Sequence, residues 1–316
     1  MQPEKTRLDK WAPFLIFIAA MLWASDGPFR YHLTQDLSAG FIVLVEHFIN
    51  SLIVLPFVIL GWKEIRGLRW REWLTLIGIG IGASALATIL FTASFSYINP
   101  SAAIVLQKLQ PLIAIALAVI FLREKTGKRF WIWATLALVG GYIVSFPGII
   151  PTVYEGEVWS PNTIGVLCAL GAAILWGAGT VMGRSVLRTV SFRTVTAMRL
   201  LIAFVFLMVW NTPENIADSI TSLTSKDVLF LIIVSLVSGV LSLLLYYHGL
   251  SRTKASVASI AELGFPFLAV IINTATLHVF LEPMQIVGMI LLVLAVWKLT
   301  QVKKTDIIPP SISNNS

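Results

Sequence analysis

The sequence predicts an all-α polytopic membrane protein with ten transmembrane helices arranged as two inverted five-helix repeats. Three observations carry that expectation. Of 316 residues, 57% are apolar and only 12% charged, with a mean hydropathy of +0.85, whereas water-soluble domains carry about 25% charged residues. Apolar runs of the length needed to cross a bilayer, about 20 residues each, recur along the whole chain. Short motifs repeat at offsets of 153 and 155 residues. The same composition excludes disorder, which needs low hydrophobicity and high charge. A single cysteine, Cys168, excludes a disulfide-stapled scaffold and any multi-cysteine metal site.

The expected spans cover residues 12–31, 39–61, 73–97, 100–122, 129–150, 163–183, 193–211, 227–249, 255–280 and 284–301. Loops between them average near ten residues, so no soluble domain fits. A β-barrel would alternate apolar and polar residues within segments of about ten, and the run 113–122 does not alternate. Lys5, Arg7 and Lys10 ahead of the first run resemble the start of a secretory signal. The run is too long for one, however, and nine more spans follow, so it reads as an uncleaved first span. The division is a first repeat at 12–150, a second at 163–301 and a cytoplasmic tail at 302–316. Trp62, Trp70 and Trp73 read as interfacial belt or packing.

The net charge of +7 would suit an anionic partner such as nucleic acid, but its distribution follows topology. With both termini on one side, that side holds 19 Lys and Arg and the opposite side only Arg30 and Lys226; Lys108 and Arg199 fall within spans. By the positive-inside rule the termini are cytoplasmic, in a multi-pass protein of the cell membrane. No nucleic-acid partner is implied.

The repeat is visible in residues. Ala20-Met21-Leu22-Trp23-Ala24-Ser25-Asp26 aligns with Ala173-Ile174-Leu175-Trp176-Gly177-Ala178-Gly179, and Ser101-Ala102-Ala103 through Gln107-Lys108 to Pro111 aligns with Ser256-Val257-Ala258 through Glu262 to Pro266. Phe121-Leu122-Arg123-Glu124 and Phe280-Leu281-Glu282 close the two segments alike. Five spans per half is odd, so the second half enters from the opposite side, the inverted architecture of many secondary transporters. The Leu-Trp pairs, Arg199, Pro111, Pro266 and the Phe-Leu-acid tags make the chain resemble the EamA-type members of the drug/metabolite transporter superfamily over about residues 12–301. That resemblance implies a carrier, often an exporter, of amino acids or other small metabolites, with its cavity between the halves. Two residues depart from the pattern: Glu46, at the repeat position of Arg199, and Lys108.

Five ionisable residues fall inside spans: Asp26, Glu46, Lys108, Arg199 and Glu262. At roughly 2.5–3.5 kcal/mol each on insertion scales, such groups face a cavity or one another. Depth counted at about 1.5 Å per residue pairs Glu46 with Lys108 in the outer half and Arg199 with Glu262 in the inner half. Such pairs either fix helix register or serve transport. Asp26 lacks a cation at its depth unless Lys108 is shared or Arg30, one turn on, reaches back. It is a candidate proton site or an anchor for a substrate ammonium. Gln107 and Gln110 flank Lys108, and Pro111 and Pro266 break their helices, as cavity walls allow. Trp23 and Trp176, equivalent in the repeat, are candidates for stacking on substrate.

Gly78-x-x-x-Gly82 and Gly179-x-x-x-Gly183 suit close helix contacts rather than phosphate binding. His278 and Glu282 alone make a poor metal site. No ATP-binding or hydrolase signature is present, so the leading expectation is a secondary carrier of a small polar metabolite, an amino acid or related compound, working by alternating access. Export and proton coupling belong to this expectation. A channel or a membrane-embedded enzyme is the alternative. No cofactor is expected, the partners are a small-molecule substrate and membrane lipid, and the chain is a monomer or homodimer.

Overall fold

The computed structural model describes residues 8–98, 103, 106, 107, 109–123, 127–145, 162–265, 268, 272 and 283–301. Helices and short turns account for these residues, with no strand among them. Buried backbone groups in hydrocarbon must be satisfied within the segment, which leaves the helix as the form that long apolar runs adopt. Among the described residues, six helices are long and apolar enough to cross a bilayer.

The first of these is interrupted. Helix α1, Leu8–Ala24, gives way to α2, Gly27–Leu33, through a turn in which Ser25 Oγ donates to the Leu22 carbonyl at 2.7 Å. Pro28 sits in the first turn of α2, where its missing N–H costs nothing. Helix α3, Ala39–Leu60, starts at Ser38, whose hydroxyl accepts the Phe41 N–H, and the short α4, Trp62–Arg66, follows. Helix α5 runs Trp70–Ser94 with a π-helical segment, Ile79–Leu86, at its centre. Helix α6, Gln110–Phe121, has Pro111 in its first turn, so the expected proline break falls at Leu109. Helix α7, Lys128–Ser145, ends the described part of the first half.

The second half repeats the pattern. Helix α8 is Asn162–Val186, and α9, Phe192–Trp210, is capped by Ser191 as α3 is by Ser38. A short surface helix, α10, Pro213–Ser222, was not anticipated in the loop between spans. Helix α11, Ser225–Arg252, carries a second π-helical segment, Val234–Leu241, 155 residues after the first. Then come α12, Ala255–Ala261, and α13, Pro283–Gln301. The expected span at 255–280 lies largely outside the described residues, as do Lys108, Pro266, His278, Glu282 and the tail 302–316.

Packing between the halves comes in matched pairs. Helix α1 lies on α11 and α8 on α5; α3 meets the π-helical segment of α11, and α9 that of α5; α8 packs on α6 and α1 on α12. Glycines permit the closest approaches: a Cβ on Gly249 would stand 2.7 Å from the Ala12 carbonyl oxygen. Gly78 and Gly183 lie against Met182 and Tyr247, the helix contacts their spacing predicted. Large apolar side chains such as Leu60, Phe121 and Val209 point outward, as lipid contact allows and water contact would not. Trp62 and Trp70 are exposed at a helix end, whereas Trp73 is partly buried against the main core.

Helices α3 and α9 cap one another. The Glu64 carboxylate, on α4, accepts the backbone N–H and hydroxyl of Ser191 at 2.6 and 2.8 Å and also the Thr194 hydroxyl. At the other end, the Asn211 amide donates to the Gly40 carbonyl at 3.2 Å.

Candidate functional site

The breaks and π-helical segments of both halves converge on one central cavity. It holds about 1050 Å³ of empty space, including where it opens to solvent, and its wall draws on α1, α2, α3, α5, α6, α8, α9, α11 and α12. Trp23, Asp26, Glu46, Gln107, Gln110, Pro111, Trp176, Arg199 and Glu262, all singled out from sequence, line it.

Three charged clusters are built into the wall. The break after α1 swings Arg30 inward. It was expected in the outer loop, yet it is only 3% exposed. Its Nε and Nη2 donate to Asp26 Oδ2 at 3.2 and 2.9 Å, Nη2 also to Glu46 Oε2 at 3.1 Å, and Nη1 to Thr92 Oγ1 at 2.9 Å. Arg30 therefore serves as the cation of both acids. The expected Glu46 partner, Lys108, falls outside the described residues. The reach of Arg30 back to Asp26 is one of the two alternatives expected for that acid; its second bond, to Glu46, was not expected.

Arg199 and Glu262 line the same cavity but do not pair. Arg199 donates from Nε to Ser84 Oγ at 2.9 Å, from Nη1 to Tyr247 Oη at 2.9 Å and from Nη2 to the Ala83 carbonyl at 2.8 Å. His47 extends this cluster, with Nδ1 2.9 Å from the Val43 carbonyl and Nε2 3.2 Å from Ser84 Oγ. The bonds are self-consistent when Nδ1 carries the histidine proton and Ser84 donates to Nε2. Glu262 accepts from Tyr246 Oη at 2.8 Å, Thr180 Oγ1 at 3.3 Å and the Gln110 amide. Hydroxyls and a backbone carbonyl satisfy Arg199 where it stands, so it does not have to reach across to Glu262.

Aromatic rings supply the apolar part of the wall. Trp23 packs on Tyr246 with centroids 5.1 Å apart, and Phe91 on Trp176 at 5.2 Å. Some polar atoms, by contrast, have no partner among the described residues: both amide atoms of Asn50, the Ser238 hydroxyl and the Gln107 amide oxygen. All three residues line the cavity. Among the described residues no group of three or more His, Cys, Asp or Glu is placed to hold a metal.

A family model described as the EamA-like transporter family matches this chain twice, over residues 10–146 and 163–301. The chain belongs to the EamA-like transporter family. It is therefore a multi-pass membrane transporter, as the resemblance implied. The riboflavin transporter ImpX of Fusobacterium nucleatum is 29% identical over 297 residues, covering 91% of this chain and 96% of that protein. Two uncharacterized transporters, from Archaeoglobus fulgidus and Bacillus subtilis (YvbV), are 23% and 22% identical, each covering more than 90% of both chains. One solved crystal structure shares the fold, with a TM-score of 0.69 over 90% of this chain and 94% of that one at 14% identity.

Proposed function

We propose that this transporter is a secondary carrier with ten spans in two inverted repeats, moving a flat, polar heteroaromatic metabolite of the flavin class through the central cavity by alternating access. The observation that carries the reading is the wall itself. Four aromatic residues, Trp23, Phe91, Trp176 and Tyr246, line the same space as amide and hydroxyl groups that lack partners. A ligand with π faces and a hydrogen-bonding edge satisfies both. The name of the Fusobacterium relative agrees with that chemistry.

An amino acid, the class implied by the family resemblance, fits less well. Its ammonium and carboxylate need an uncommitted acid and cation. Among the described residues, Asp26, Glu46 and Arg30 are committed to one another, Arg199 to Ser84, Ala83 and Tyr247, and Glu262 to Tyr246, Thr180 and Gln110. Coupling to protons is placed at the Asp26–Arg30–Glu46 cluster, where two carboxylates share one guanidinium and a proton on either removes the excess charge.

Purified protein in liposomes tests the reading. Vesicles preloaded with unlabelled riboflavin are expected to accumulate labelled riboflavin transiently above equilibrium, the counterflow of a carrier. Steady uncoupled current would instead indicate a channel, chemical conversion an enzyme, and counterflow with amino acids alone would overturn the substrate class.

A further inference from the structure

The two π-helical segments are equivalent in the repeat but differently occupied. In the first, Ile79–Leu86, the Ala83 carbonyl and Ser84 hydroxyl are engaged by the guanidinium of Arg199, on α9. In the second, Val234–Leu241, the corresponding residues are Ser238 and Gly239. The residue at the repeat position of Arg199 is Glu46, and it turns away to Arg30. What faces the second segment is Asn50, one turn further along α3 and 0% exposed. It packs so closely that a Cβ on Gly239 would lie 2.8 Å from its amide oxygen.

The protein meets the first π-helical segment with a guanidinium that its groups satisfy, and the second with a carboxamide that they do not. Neither amide atom of Asn50 has a partner among the described residues, and the Ser238 hydroxyl, which lies beside the Asp26 carboxylate, makes no well-formed bond there. A buried polar atom without a partner costs about 1–3 kcal/mol, and three such atoms meet here on facing helices. Segments of π-helix occur often at functional sites.

Resting on the carrier reading above, we propose that Asn50 and Ser238 form the specificity-determining notch for substrate, reading an imide edge of the heterocycle. The Asn50 amide offers one donor beside one acceptor, and the Ser238 hydroxyl adds a second donor. Their complement is an acceptor–donor–acceptor edge, a ring N–H between two carbonyls, as on the pyrimidine side of a flavin. Gly239 keeps the notch open because any side chain there would occupy the position of the Asn50 amide. The ligand enters by parting Asn50 from Gly239 and supplies the missing partners to both helices.

The probes are riboflavin and N3-methylriboflavin, which differ only in the imide N–H. Binding is read by quenching of flavin fluorescence in detergent-solubilised wild type, Asn50→Leu and Ser238→Ala. Wild type is expected to favour riboflavin over the methylated probe by about tenfold or more, the scale of one buried hydrogen bond. Asn50→Leu should weaken riboflavin, which loses both the N–H and the carbonyl contact, more than N3-methylriboflavin, which loses at most the carbonyl contact, so that the preference collapses. Ser238→Ala should weaken both probes alike, because it contacts a carbonyl they share. Equal affinity of wild type for the two probes overturns the notch whether or not the variants fold, as does a preference that survives Asn50→Leu. Failure of wild type to bind either probe removes the flavin reading as well, and is thereby distinguished from failure of the notch alone.

Discussion

Removing the Arg30 guanidinium is expected to destabilise the fold strongly, and removing a carboxylate as well should partly restore it. Arg30→Met keeps a stem of similar length and deletes four hydrogen bonds, leaving Asp26 and Glu46 only 8% and 6% exposed without their cation. Because Nη2 bonds to an oxygen of each, those two oxygens lie no more than about 6 Å apart. Two negative charges at that distance repel by about 3 kcal/mol at an effective dielectric near 20. Mutational experience with broken buried pairs gives about 3–5 kcal/mol. At roughly 2 °C per kcal/mol, the low end for chains of 150–250 residues, the melting temperature in detergent should fall by about 6–10 °C. Asp26→Asn in the Arg30→Met background removes the repulsion and should recover about half of that loss. Tryptophan fluorescence during thermal unfolding measures both. An Arg30→Met variant melting within 2 °C of wild type, or a double variant no better than the single, would refute the idea that one guanidinium holds both acids.

Further outcomes follow from other contacts. Glu64→Ala deprives the start of α9 of three hydrogen bonds from Ser191 and Thr194 and should cost about 1–2 kcal/mol, read as a lower melting temperature. Gly249→Leu drives a side chain into the Ala12 carbonyl 2.7 Å away, so the variant should fail to elute as a single monodisperse species. Tyr246→Phe removes the donor to Glu262 and should cost about 1–2 kcal/mol in the same melts while preserving the ring contact with Trp23. A reporter active only in the cytoplasm should be active when fused after Ser316, and inactivity there would reverse the proposed orientation.

The charged part of the site was legible because charge is rare in these helices and costly where it occurs. Asp26, Glu46, Arg199 and Glu262 stand out of apolar runs, and the cavity collects all four. Their partners were only partly legible, for two reasons. Arg30 was an alternative partner for Asp26, but its simultaneous hold on Glu46 depends on the interruption at Ser25–Asp26 that precedes it. Its signal was the spacing of four from Asp26. Ser84, Thr180, Tyr246 and Tyr247 are uncharged residues of a kind common in membrane helices, so no scan for charge marks them. Asn50 was overlooked likewise, though a carboxamide within an apolar helix is itself uncommon chemistry. The π-helical segments left no trace in apolar periodicity. The equivalence of the halves was readable from Trp23 and Trp176, but which π-helical segment each half fills depends on side-chain directions that repeat alignment does not supply.

The reciprocal capping of α3 and α9 bears on how the chain is made. Glu64 is synthesised well before Ser191 and Thr194, and Gly40 well before Asn211, so neither cap can close while the first half alone is in the membrane. A nascent chain halted between the halves would present a Glu64 carboxylate on α4 without its Ser191 and Thr194 donors and a Gly40 carbonyl without the Asn211 amide. Those exposed groups give membrane quality control a chemical signature of incompleteness, and arrival of α9 erases both at once.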